Sequence, residues 1–153
     1  MVVLITIGVL AMMAVPTFLS AKERALDRSA QSDLQVALST AKSIYAEAAD
    51  FTGVTVTTMQ GAEPNLGWVD AATASGVSND FAVSMRVWNQ SEINVARLSE
   101  SRVCFFLRTI EDQATAPSGS VNVYKGRGFG TCSGNTIAAL PAVTMFFPGW
   151  EPP

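Results

Sequence analysis

At 153 residues and a net charge of −3, the chain amounts to one domain with at most one appendage, and it carries no broad basic surface for nucleic acid. It has no histidine, which removes the commonest general base and the commonest metal ligand together. Two cysteines, Cys104 and Cys132, are too few for a zinc site.

The first charged residue is Lys22, so residues 1–21 form an uncharged and mostly apolar run. A bilayer needs about 20 such residues in a helix rising ~1.5 Å each. The apolar positions are Val2, Val3, Leu4, Ile5, Ile7, Val9, Leu10, Met12, Met13, Val15, Phe18 and Leu19. Thr6, Thr17 and Ser20 are compatible with this, because a hydroxyl can bond back to the preceding turn. A cleaved secretory signal fits badly, since no basic n-region precedes the run and no pair of small residues marks a cleavage point before Lys22. An ordinary membrane anchor remains open. Pro16 sits inside the run; it lacks the N–H that would bond the carbonyl of Met12, and its ring crowds that turn. Gly8 adds about 1 kcal/mol of helix weakness.

The helical pattern continues past Lys22. Leu26, Ala30, Leu34, Ala37, Leu38, Ala41, Ile44, Tyr45 and Ala48 recur at three- and four-residue steps, which makes one apolar stripe of an amphipathic helix. Arg24, Asp27, Arg28, Gln31, Gln35, Ser39, Lys42 and Asp50 occupy the other face. The cluster Lys22/Arg24/Arg28 is interleaved with Glu23 and Asp27 and reads as a solvated face. With Gly53 as the stop, the expectation is a single rod of about fifty residues, ~75 Å long. Its first half is apolar all round, and its second half on one side only.

Residues 52–80 read as a connection with room for a short helix or strand, pinned to the rod by Trp68 and Val69. "FAVSMRVW" then alternates, with Phe81, Val83, Met85 and Val87 on one face. "INVARL" places Ile93 and Val95 inward, and "VCFFLRTI" puts Val103, Phe105 and Leu107 on one side with Cys104, Phe106 and Ile110 on the other. Tight polar turns join these three strands into an antiparallel meander. The stripe from Leu26 to Ala48 is its natural cover. Beyond a loop at "EDQATAPSGS", an edge strand is expected at Val121 to Tyr124, followed by a glycine-rich turn and a proline-rich tail. In an exported protein Cys104 and Cys132 read as a disulfide tying this segment to the central strand; two free thiols are the alternative.

Chemistry-bearing motifs are few. Glu111-Asp112 is an adjacent acidic pair in a polar loop, and such pairs are usually solvated. "GRGFG", with the basic pair Lys125/Arg127, lacks the strand-to-helix context and the lysine of a phosphate loop. Asn89 in "NQS" is a formal glycosylation acceptor, and Ser118 and Ser120 are equally available to modification. No catalytic, cofactor or metal site emerges, so an enzyme is not expected.

The run "MVVLITIGVLAMMAVPTFLSAKERA" resembles the N-terminal helix of type IV pilins and of the related pseudopilins of type II secretion. Gly8 and Pro16 match that family's helix-weakening glycine and proline by position. The remaining order of rod, connecting loop, antiparallel sheet and C-terminal disulfide loop is compatible with it. The family begins with a short basic leader ending in glycine, then a phenylalanine-led stretch with a glutamate. None of these precedes Met1, so the sequence is expected to start late, at an internal methionine, with the leader and first mature residues missing.

The resemblance implies an α+β fold, with a long N-terminal helix packed on an antiparallel β-sheet and a disulfide-tied C-terminal loop region. Residues 1–21 are the membrane anchor before assembly and the filament core after it. Residues 22–51 pack on the sheet, 52–80 form the connecting loop, and 81–153 hold the sheet and C-terminal region. The function implied is a pilin that polymerises with identical subunits into an extracellular filament for adhesion, motility, DNA uptake or secretion. The inner or cytoplasmic membrane, a leader peptidase and the pilus assembly machinery are its implied partners. A pseudopilin or minor pilin is the alternative within the class; a permanently anchored surface binding domain is the alternative outside it.

Overall fold

A computed structural model of the chain describes residues 2–111, 123–128 and 131–135, and for 2–17, 77 and 123–128 it describes the backbone alone. The first element, α1, is one unbroken helix, Val2–Ala48, of 47 residues. It runs through Gly8 and Pro16 without a break in the single chain. Ser39, Thr40 and Ser43 turn their hydroxyls back to the carbonyls of Val36 and Thr40, which satisfies these polar groups along the solvent face. The helix stops earlier than Gly53. Ala49 takes the left-handed conformation at φ 53°, and its N–H bonds the Tyr45 carbonyl at 2.6 Å. Tyr45 then stacks on the buried Phe51 with ring centroids 4.4 Å apart, so an aromatic contact fixes the exit that a glycine was expected to provide.

The connection contains both a helix and a strand. Helix α2 (Val56–Ala62) opens with a Thr55–Thr58 capping box and buries Met59. Strand β1 (Trp68–Asp70) follows, and a 3₁₀ turn at Val77–Asn79 leads to β2 (Val83–Asn89). Strands β3 (Glu92–Leu98), β4 (Cys104–Ile110) and β5 (Val123–Gly128) complete a five-stranded sheet in sequence order. Strands β2–β4 are the antiparallel meander read from the alternation, and β5 adds to it antiparallel to β4. The sheet as a whole is mixed, because β1 runs parallel to β2 with Trp68 opposite Val83. That corrects the expectation of a wholly antiparallel sheet. Three residues of extended chain between turns are too short for their pairing to be read from a period of two.

Two further boundaries move. Phe81 lies outside β2; it and Asp80 have φ of 56° and 49°, which makes the sharp bend that starts the strand. Strand β5 begins at Val123 and takes in Gly126–Gly128, so the first glycines of "GRGFG" are paired with Phe106 and Cys104 and do not form a turn. The proposed strand start at Val121, together with Asp112, Ser118, Ser120 and the proline-rich tail, lies outside the described residues.

The sheet buries both faces. On one, Val83, Met85, Ile93, Val95, Phe105 and Leu107 pack against α1. On the other, Ala96, Cys104, Phe106 and Cys132 form a second cluster. Residues 131–135 cover this face. Cys132 is bonded to Cys104 across a separation of 28 residues, and no free cysteine remains. The Cys132 carbonyl accepts from Ser75 N at 2.7 Å, and Gly134 N donates to Ser84 Oγ at 3.0 Å. Gly134 lies so close to β2 that a Cβ there would come within 2.8 Å of Arg86 N and 2.9 Å of the Met85 carbonyl carbon. Gly134→Ala therefore forces backbone apart and should destabilise by about 1–3 kcal/mol. In Gly61→Ala the new methyl meets nothing within 4 Å in α2 and should be neutral or stabilising by about 0.5–1 kcal/mol. Urea titrations of the two variants check the contrast.

Candidate functional site

The candidate site is the part of α1 that the sheet leaves uncovered. Residues 18–25 are exposed at every position. Phe18 and Leu19 stand out at 70% and 55% exposure, large apolar side chains outside the hydrophobic clusters of the described residues. Lys22 and Arg24 are exposed beside them. The backbone continues as helix to Val2, so the stretch before Leu26 measures ~36 Å at standard rise. The other side chains assigned to this half, from Val2 to Val15 with Pro16, lie outside the described residues. Among the described residues no helix is long and apolar enough to cross a membrane.

The second half of α1 sits on the sheet along the expected stripe, with one exception. Ala30, Leu34, Ala37, Leu38 and Ala41 are buried, and Ile44 and Tyr45 are half-buried against the same cluster. Leu26 is half-buried where the helix leaves the sheet. Ala48 is exposed, because it belongs to the final turn, where the chain bends away at Ala49. Trp68 is buried in the cluster and donates Nε1 to the Glu63 carbonyl at 3.1 Å. Val69 pairs with Ser84, half-buried on the opposite face, so only one of the two expected pins reaches the rod.

Among the described residues three polar ties fasten the rod to the sheet side, and none of them was assigned from the sequence. Asp27 accepts from Ser101 in the β3–β4 turn. Asp33 pairs with Arg97 of β3. Lys42 Nζ reaches Glu111 at 2.7 Å, and Glu111 also accepts from Thr109 Oγ1 at 3.0 Å. Glu111 is thus the anchor of a lysine and not half of a solvated acidic pair. Burial pushes the Arg97 guanidinium down from its very high ordinary pKa, while the nearby Glu100 charge pushes it back up. A period of two already places Arg97 on the face of Ile93 and Val95, so a charge there had to find a partner on α1.

Elsewhere the second face of the sheet carries polar and aromatic side chains. The Arg86 guanidinium lies 3.6 Å from the centre of the Trp88 ring and also donates to Asn135. Asn89 is exposed at the end of β2, with its side-chain oxygen accepting from Ser91 N at 2.9 Å. Among the described residues no group of three or more His, Cys, Asp or Glu gathers where a metal could bind. No protein-family model matches the chain, and no curated protein or solved structure matches it either.

The disulfide is the fastening whose loss reads out most simply. Opening a loop of 28 residues releases unfolded-state entropy worth about 3–4 kcal/mol. Cys104→Ser with Cys132→Ser should lower the urea midpoint accordingly. Segment 131–135 should then become sensitive to protease, while the α1 face of the sheet keeps its packing.

Proposed function

We propose that this chain is the structural subunit of a type IV pilus-like filament, polymerising through the N-terminal part of α1. The observation that carries this reading is the exposure of residues 18–25 on every side, continuous in sequence with an uncharged run back to residue 1. Phe18 and Leu19 gain by leaving water, at about 25 cal/mol per Å² of apolar surface, and so does the rest of that run. Among the described residues the sheet does not cover Phe18 or Leu19. Lipid hosts the run before assembly and a bundle of identical helices hosts it afterwards. The sheet domains form the outer surface of the filament at the cell exterior. A leader peptidase and an assembly machinery process and extract the subunit, as the resemblance implies.

Gly8 and Pro16 favour the filament over a permanent anchor. A single spanning helix gains nothing from two weak points. Helices packed among many copies gain local adjustment, because a turn without its full set of hydrogen bonds can bend or extend until apolar faces interlock. The unbroken α1 of the isolated chain is the starting state of that change.

Two measurements test the reading. Filaments sheared from cells should contain this chain as the repeating component, and deleting residues 1–21 should leave a soluble monomer in sedimentation. A deleted form that still polymerises places the core elsewhere and overturns the proposal. Pro16→Ala should leave the melting of the sheet domain unchanged while lowering filament yield and flexibility. Equal yield and mechanics would remove the role assigned to Pro16.

A further inference from the structure

The two turns of α1 at the base of the stem are seated differently from the turns that follow. Across residues 34–41 the contact is apolar, with Leu34, Ala37 and Ala41 wholly buried in the helix-facing cluster. Across residues 26–33 it is mostly polar. Ala30 is the only fully buried apolar side chain there, and an alanine removes little surface from water. The fastening comes from Asp27 with Ser101 and from Asp33 with Arg97.

The packing beside these ties is incomplete. Leu26, Ser29 and Ala30 on the helix face Phe81, Leu98 and Glu100 across a cleft of about 30 Å³, enough for roughly one water. Arg97 also lines this cleft, and its Nε is buried without a partner among the described residues. Phe81, on the far wall, is held at φ 56°, a region that a bulky aromatic rarely occupies. The side chains of Arg97 and Asp33 keep 19% and 25% of their surface in contact with water. Water already reaches the edge of this pair and would hydrate both charges as residues 26–33 lift, whereas water offers nothing in place of the apolar contacts of Leu34.

We propose that Asp27–Ser101 and Asp33–Arg97 form a latch at the base of the stem. When both ties open, residues 26–33 lift from the sheet as intact helix while residues 34–41 stay docked. The free stem lengthens by about two turns, ~12 Å, and its angle to the sheet changes. The latch is a property of the single chain and holds whether or not the chain builds a filament.

Thiol accessibility on the full chain in detergent micelles, without reductant, tests this directly. Ala30 and Ala41 are both buried, at 2% and 0% exposure, and cysteine is a small enough replacement for either. The thiol introduced by Ala30→Cys should react at least about tenfold faster than the one introduced by Ala41→Cys, the ratio expected when local opening costs a hydrogen bond or two less than release of the core. Adding Asp33→Asn should speed the reaction at position 30 several-fold further and leave position 41 unchanged. Ser101→Ala, in the β3–β4 turn, tests the same latch without removing a charge. Equal rates at the two positions overturn the proposal. So do latch substitutions that leave position 30 unchanged or that accelerate both positions alike.

Discussion

Everything in this molecule answers to one constraint: α1 presents more apolar helix than its own sheet can cover. The stripe from Ala30 to Ala41 is taken out of water by Val83, Val95, Phe105 and Leu107. Among the described residues the sheet does not reach residues 18–25, where Phe18 and Leu19 are exposed. At residues 18–25, then, α1 keeps apolar surface in water.

The sheet has its own version of the problem, because it is apolar on both faces. On one side α1 is joined by Phe51, Val54 and the α2 residue Met59 as cover. Among the described residues, the cover of the other side comes from residues 131–135. The Cys104–Cys132 bond holds them, Ser75 and Ser84 complete their backbone hydrogen bonds, and Gly134 permits the close approach to β2. A covalent tie plus a small polar network replaces the second layer that a larger domain would build.

Strongly periodic segments were legible in the sequence. The stripe of α1, the meander of β2 to β4 and the pairing of the two cysteines all rest on local pattern or on simple counting. What escaped was set by tertiary contact. Ala49 ends the helix because Tyr45 and Phe51 stack, which no cap residue announces. Trp68–Asp70 is a strand only because β2 lies beside it. Gly126 and Gly128 belong to a strand although glycine there usually signals a turn, since the β4 edge supplies the pairing that their own propensity does not. The three ties from α1 were invisible as pairs because their partners lie 74, 64 and 69 residues apart in the chain. Arg97 alone was discoverable, as a charge on an inward face.

The functional reading follows from asking where the uncovered end goes. Lipid satisfies its apolar surface, and so do other copies of the same helix; only the second outcome makes use of the weak points at Gly8 and Pro16. A photoreactive side chain placed at Phe18 distinguishes the two on living cells. The account predicts adducts between one copy of the chain and another in material sheared from the cell surface. Adducts with lipid alone, and none between copies in any fraction, would contradict it.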